Sequence, residues 1–308
     1  KWPIENNSIQ AIITSPPYYS LRKYNIPDII IGGNPDCNHD WTRTRTRTEG
    51  DKPGANSMVA ANRPNDTCNR LDIHFNTCSL CGAWQGQYGL EATYQDYIAH
   101  SVLWAKEAWR VLKDDGLFFL NIGDSYPSGG GKAVEQSFKR QSAIESGAYP
   151  DNNPSANLRK SMPKCQLLIP HRVAMSLIDE GWILRNTIVW YKPNSMPESV
   201  TDRFSKKYEY VFMFSKQKNY YFNLDAVRES FSNETFARCK RGYESDDKVY
   251  DENYNSEKHK NHAIKVLSGE AKGKNPGDLW SIPTQPSSDS HYAMWPEKLV
   301  KKMILCST

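Results

Sequence analysis

The sequence predicts an α/β protein built on an open sheet, and three observations carry that prediction. First, the mostly apolar run Ile9 to Thr14 ends abruptly in Ser15-Pro16-Pro17-Tyr18, as a buried strand does when it delivers a stiff polar turn to a sheet edge. Second, a helical pattern over 93–112 is followed by an apolar strand pattern over 117–122. Third, the same helix-then-strand unit recurs over 170–191. Open α/β sheets place their sites where such strands end.

A chain of 308 residues with 38% hydrophobic content supports one large α/β domain or two smaller ones. Its net charge of +4 is too mild to mark a nucleic-acid binder by itself, so local charge distribution carries more information. Seven cysteines, no signal peptide and no apolar run near ~20 residues point to a reducing, cytoplasmic setting. Residue 1 is Lys, and the chain stops directly after an amphipathic segment, so both ends read as cut.

Each element follows from its own residues. Thr93 and Asp96 form a capping box, and Tyr94, Ile98, Val102, Ala105, Trp109 and Leu112 recur at steps of three and four, predicting a helix that ends at Lys113-Asp114-Asp115-Gly116. The strand over 117–122 ends in Gly123-Asp124-Ser125-Tyr126, a second polar strand end near the first. Residues 127–164 read as a long polar loop. Pro170 opens a helix that runs to Asp179, Gly181 stops it, and 183–191 form a strand ending in Trp190-Tyr191-Lys192-Pro193. A strand over 208–215 pairs antiparallel with it across the connection between them. Residues 228–277 are highly polar with clustered lysines (Lys258, Lys260, Lys265, Lys272, Lys274), and read either as disordered or as a small sequence-reading module. Order resumes at 278–282, and Pro296 opens a last helix over 297–304.

An insertion over 32–83 interrupts this scheme. Its middle holds Thr-Arg repeats (Arg43, Arg45, Arg47), which share one face if extended; a disordered basic loop and a phosphate-contacting arm are both consistent with them. Cys37-x-His39 and Cys78-x-x-Cys81, the latter followed by Gly82, flank that middle. Four soft ligands in two close pairs suit one tetrahedral structural zinc, with Cys68 and His74 as competing ligands and free thiols as the alternative.

The heptapeptide Ile12-Ile13-Thr14-Ser15-Pro16-Pro17-Tyr18 resembles the catalytic motif of the DNA amino-methyltransferases. Further islands are similar to blocks of the same family: Gly89-Leu90-Glu91-x-Thr93, 112–126, Trp190-Tyr191-Lys192-Pro193-Asn194 with Pro197-Glu198-Ser199 and Asp202-Arg203, Tyr208-Glu209-Tyr210, and His291-x-Ala293-x-Trp295-Pro296. Their order resembles the permuted β class. The resemblance implies a Rossmann-like S-adenosylmethionine-dependent methyltransferase fold with a mixed sheet in circularly permuted order. It also implies a Phe-x-Gly-x-Gly strand after the late block; the 308 residues lack one, so the expectation is a fragment of a longer bacterial or phage protein. The division expected is a catalytic domain over 1–31 and 84–227, the zinc-binding insertion over 32–83, a target-recognition region over 228–277, and a return to the catalytic domain over 278–308.

The activity implied is methyl transfer from S-adenosylmethionine to the exocyclic N4 of a cytosine flipped out of double-stranded DNA, in a restriction-modification setting. The Ser form of the motif leans toward cytosine N4, since Asp is usual in the adenine-N6 branch. By the family's mechanism, Ser15 and the Pro16 carbonyl accept from the amine, Pro17 stiffens the turn and Tyr18 stacks on the base. Trp190 and Tyr191 are expected as the opposite wall; Asn121, Asp124, His291 and Pro296 at the cofactor; Lys192 and Arg203 at DNA phosphates. Plainer readings stand beside these: core aromatics for Trp190 and Tyr191, a turn cap for Asp124, solvated charges for Lys192 and Arg203. Rival functions are adenine-N6 methylation, methylation of a protein glutamine amide, and a catalytically inactive DNA-binding module.

Overall fold

The computed structural model describes residues 2–24, 26–41, 44–47, 71–74, 76–126, 162, 164–244, 256–286 and 294–308, with backbone alone at 44–47, 71–74, 242–244 and 256–259. Arg43, Cys68, His291 and most of the loop expected over 127–164 lie outside the described residues. In chain order the elements are β1 (Ile9–Thr14), β2 (Ile29–Ile31), β3 (Thr44–Arg47), β4 (Leu71–His74), β5 (Trp84–Gly86), α1 (Tyr94–Val111), β6 (Leu112–Ile122), α2 (Ile169–Asp179), β7 (Ile183–Tyr191), β8 (Tyr208–Ser215), α3 (Asn233–Glu244), α4 (Ser256–Ser268), β9 (Leu279–Ser281) and α5 (Glu297–Ser307). No helix among the described residues is long and apolar enough to cross a membrane. The chain divides into two compact units: Lys1–Ser15, Glu107–Ile122 and Leu177–Thr308 form the first, Pro16–Lys106 and Gly123–Ser176 the second.

The first unit holds a mixed sheet in the order β1-β6-β8-β7-β9. β1 runs parallel to β6, with Thr14 opposite Leu120; β8 is antiparallel to both β6 and β7, and β9 is parallel to β7. One edge therefore collects the carboxyl ends of β1, β6, β7 and β9 together with the start of β8. Both faces of the central strands are buried, which is why β6 and β8 read as continuous apolar runs. Leu117, Phe119, Val211 and Met213 join Leu299, Met303 and Cys306 of α5 in one core. On the alternate positions Phe118 and Phe214 meet Trp182, which also takes Trp109 edge-on with centroids 4.9 Å apart. Burying each large apolar side chain of this kind contributes roughly 1.5–3 kcal/mol.

β1, β7 and β8 have the bounds their sequence patterns predict, and β7 and β8 pair antiparallel as expected. β6 starts earlier than predicted, at Leu112, with no loop between it and α1. Ile9 pairs with Leu112 and Ala11 with Leu117, so the register shifts across 113–116. The buried stripe of α1 also differs from the predicted one: Tyr97, Ser101, Ala105, Ala108 and Val111 turn inward, and small side chains there allow close packing while Ile98 and Trp109 sit at its margins. Pro296 is the N-cap of α5 rather than its first helical residue, with φ −66° and ψ 139°. The polar region over 228–277 contains α3 and α4, and the Phe231 ring meets both Phe236 of α3 and His262 of α4.

In the second unit, β2 pairs antiparallel with β5, and β3 with β4. Arg45 and Arg47 of the Thr-Arg repeat thus lie on a paired strand.

Gly116 sets how closely β1 lies on β6, because a Cβ there would be 2.7 Å from the Gln10 carbonyl oxygen and 2.8 Å from Leu112 Cδ1. Gly116→Ala is expected to destabilise the protein by about 1–3 kcal/mol through forced separation of the two strands. Urea unfolding measures this, and an unchanged midpoint would contradict it.

Candidate functional site

Ser15 follows β1 directly and is exposed at the carboxyl edge of the sheet. Pro16, Pro17 and Tyr18 open the second unit, where residues far along the chain fix their path. The Tyr97 hydroxyl donates to the Pro17 carbonyl at 3.0 Å. Burial holds that hydroxyl protonated, its pKa well above the ordinary tyrosine range. Gly89, at φ +95°, lies so close that a Cβ would be 3.1 Å from Pro17 Cβ and 3.2 Å from the Tyr18 carbonyl oxygen. The Tyr18 ring rests on Gly123, where a Cβ would be 2.4 Å from Cε2. The Ser125 hydroxyl donates to the Tyr19 carbonyl at 2.7 Å, and the Ser20 N–H to the Gly89 carbonyl at 2.7 Å.

Gly89 is itself anchored. Its N–H donates to Oε2 of the fully buried Glu91 at 2.8 Å, and Oε1 of that carboxyl pairs with His100 Nδ1 at 3.1 Å. Reading the sequence picked out the Ser-Pro-Pro-Tyr turn but not Tyr97 or Gly123 as its supports. The local signal that existed was a glycine two residues ahead of a carboxylate, just before a capping box. Thr93 caps α1: the Asp96 N–H donates to Thr93 Oγ1 at 3.1 Å, and the Thr93 hydroxyl donates to Asp96 Oδ2 at 2.7 Å.

The expected cofactor residues are committed to internal bonds. Asn121, 1% exposed, donates to the Tyr210 carbonyl at 2.9 Å and accepts from Trp295 Nε1–H at 2.9 Å. Asp124 Oδ1 accepts the Ile169 N–H at the start of α2 (2.9 Å) and the Ser125 N–H (2.9 Å), while Oδ2 accepts from Gln166 Nε2 (2.7 Å). Pro296 caps α5, its carbonyl accepting the Leu299 N–H at 3.0 Å.

Trp190 is 3% exposed and packs within the core. Its indole N–H donates to the Ile282 carbonyl at 2.8 Å, and Lys192 Nζ lies 4.1 Å from its ring centroid. Tyr191 is half-buried and Tyr208, opposite it in the ladder, is 37% exposed, so both keep surface at this edge. Lys192 also forms an ion pair with Glu209, and Arg203 pairs with Glu198 at 2.6 Å. Both cations are thus braced by carboxylates of the same unit.

Cys37, His39, Cys78 and Cys81 come together, with all four ligand atoms within 4.8 Å of one another. Cys37 and Cys78 sulfurs are 3.9 Å apart, and Cys81 Sγ is 3.4 Å from His39 Nδ1. Ligands about 2.0–2.3 Å from a central tetrahedral zinc would have spacings of this order. A tight knuckle carries the second pair: the Gly82 N–H donates to the Cys78 carbonyl at 3.0 Å with Gly82 at φ +72°. Burial alone would raise the Cys78 thiol, but hydrogen bonds from His39 and from the backbone N–H groups of Leu80 and Cys81 outweigh it and hold the pKa at about 6. The Cys81 thiol is also lowered, chiefly by the Asn34 and Ala83 backbone N–H groups. Both shifts favour the thiolate form that binds metal, whereas burial and the neighbouring Cys81 and Cys78 thiols push Cys37 up to about 11. The rival ligand Cys68 and the side chain of His74 lie outside the described residues.

The profile of the N6/N4 DNA methylase family matches residues 9–308. The chain belongs to this DNA methylase family. Among curated members it is 32% identical over 222 residues to the type II methyltransferase M.Cfr9I of Citrobacter freundii, covering 72% of this chain and 60% of that protein. It is 32% identical over 223 residues to the type II methyltransferase M.SmaI of Serratia marcescens, covering 72% and 62%. The match thus spans about 60% of the length of these relatives. Among solved structures, PvuII DNA methyltransferase (cytosine-N4-specific) aligns with a TM-score of 0.46 and 15% identity, covering 99% of this chain and 66% of that one.

In this DNA methylase chain Asp124 caps the start of α2. Asp124→Ala is expected to destabilise the fold by about 2 kcal/mol, since it leaves the Ile169 N–H without its charged acceptor. Denaturant unfolding reads this out, and Asp124→Asn should recover part of the loss. An alanine variant as stable as wild type would contradict the assignment.

Proposed function

We propose that this protein methylates an exocyclic amino group in double-stranded DNA, the N4 of a cytosine extruded from the helix, as the modification enzyme of a type II restriction-modification system. The observation that carries the reading is the Ser15-Pro16-Pro17-Tyr18 turn: an exposed hydroxyl at a sheet edge beside a proline backbone braced by Tyr97 and Gly89. A base amine has its lone pair delocalised into the ring. Acceptors on its protons, with a ring stacked on the base, favour the geometry in which that pair points at an electrophile. Ser15 and the Pro16 carbonyl act as the acceptors and Tyr18 as the stacking ring, so positioning supplies most of the rate. Tyr191, rather than Trp190, is the aromatic available for a second contact. The Ser form of the motif supports cytosine over adenine.

The methyl donor implied by the family is S-adenosylmethionine, which supplies an electrophilic sulfonium methyl group when bound. Asn121 and Asp124 serve this site by fixing the sheet edge and α2, not as direct ligands, since their polar atoms are engaged internally. For the DNA partner, α3 and α4 expose Arg238, Lys240, Arg241, Lys260 and Lys265, which supports the 228–277 region as the target-reading element. In the insertion, Cys37, His39, Cys78 and Cys81 would hold a structural zinc, as a set of three thiols and one imidazole suited to a closed site.

Incubating the complete gene product with DNA and labelled S-adenosylmethionine, then separating nucleosides by mass spectrometry, is expected to yield N4-methylcytosine. N6-methyladenine would overturn the target base, and DNA binding without any methylated base would favour the inactive module. Tyr18→Ala is expected to lower methylation about 5- to 160-fold, the equivalent of the ~1–3 kcal/mol carried by one base–aromatic stack.

Elemental analysis of tag-free protein is expected to find one zinc per chain. Chelation should lower the melting temperature, and Cys78→Ser should abolish stoichiometric zinc. Protein without zinc that melts at the same temperature with and without chelator would sink the metal site.

A further inference from the structure

Among the described large apolar side chains, Phe204 at 98% and Met196 at 86% are the two most exposed. Both lie on one connection, residues 192–207 between β7 and β8. It leaves the sheet at Tyr191 and returns at Tyr208, which face each other in the ladder at the edge that carries Ser15. An aromatic ring left wholly in water is unfavourable, and two such side chains on one short connection call for an apolar destination.

The connection is built rather than slack. The Lys192 N–H donates to the Lys207 carbonyl at 2.8 Å and closes its neck. Asn194 Nδ2 donates to the Thr284 carbonyl at 3.0 Å while Asn194 Oδ1 accepts the Thr284 N–H at 2.9 Å. Glu198 Oε2 accepts from Arg203 Nη1 at 2.6 Å, and the same Arg203 nitrogen donates to the Phe204 carbonyl at 3.1 Å. Phe204 therefore projects from a backbone held on both sides. Lys206 and Lys207 follow it, giving the tip an apolar point and a basic flank.

We propose that the 192–207 connection is a duplex wedge. Phe204, backed by Met196, enters the base stack where the target base has left it, while Lys206 and Lys207 lie at the adjacent phosphates. Phe and Met are among the side chains that enter base steps as wedges. A ring filling the vacated space offsets part of the few kcal/mol that extrusion costs. Basic residues beside an apolar tip fit a polyanion with an apolar stack better than they fit a protein groove. The inference rests on the proposed DNA-methylating function.

The test compares two duplexes, each with 2-aminopurine beside the target: one fully paired, and one with the target base mismatched so that extrusion is already cheap. With the complete gene product, Phe204→Ala is expected to reduce the fluorescence rise and lower methylation of the paired duplex about tenfold, while leaving the mismatched duplex within about twofold of wild type. Phe204→Trp should keep paired-duplex activity within about threefold. Equal loss on both duplexes, or no loss on either, overturns the wedge. A change in oligomeric mass for Phe204→Ala, with the paired-to-mismatched ratio unaltered, assigns the ring to a protein interface and also overturns it. Wild-type protein that methylates neither duplex overturns the parent reading and the wedge with it.

Discussion

The parallel pairing of β1 with β6 is the constraint on which the rest depends. Thr14 opposite Leu120 sets Ser15 at the carboxyl edge. The approach is close enough that residue 116 has no room for a side chain. The following strands extend the same edge, so the ends of β1, β6, β7 and β9 and the start of β8 are collected by backbone hydrogen bonds alone. Packing then makes the arrangement rigid. α5 covers one face through Leu299, Met303 and Cys306, and the Trp109, Trp182 and Phe214 rings cover the other.

Polar bonds at the edge serve position first. Trp295, Asn121, Glu209, Lys192 and Trp190 form a continuous chain of contacts along it, each polar group answered by the next. Asp124 plays the same part in the second unit for α2, and Glu91 for Gly89. Buried polar groups of this kind are stabilising only when every member is satisfied, so the network tolerates little change at any one residue.

Much of this was legible in the sequence, and the pattern of success is physical. Strands β1, β7 and β8 declare themselves because each is rich in apolar residues and has turn residues near its ends, although only β8 carries a continuous buried run, while β1 and β7 stay partly exposed. The Cys37, His39, Cys78 and Cys81 group is legible because its residues come in two close pairs of soft side chains, and the fold brings the two pairs together. Tyr97 and Gly123 are not legible as supports of the turn, since Tyr97 reaches Pro17 across 80 positions and leaves no local signature. The roles of Asn121 and Asp124 stay open in the sequence for a related reason. A polar residue at a strand end looks the same whether its partner is a ligand or, as here, a backbone group or side chain 42 to 174 positions away. Trp190 reads equally well as wall or as core until its neighbours Trp280 and Ile282 are in place.

The cysteine and histidine group has a further consequence for how the protein can vary. Cys37 and Cys78 stand 41 positions apart, yet their sulfurs meet at 3.9 Å, so the insertion begins and ends at a single clamp. Closing a longer loop adds only about 0.6 kcal/mol per doubling of its length. With its two ends held together at this clamp, the segment between Cys37 and Cys78 can therefore change in length over evolution at little entropic cost.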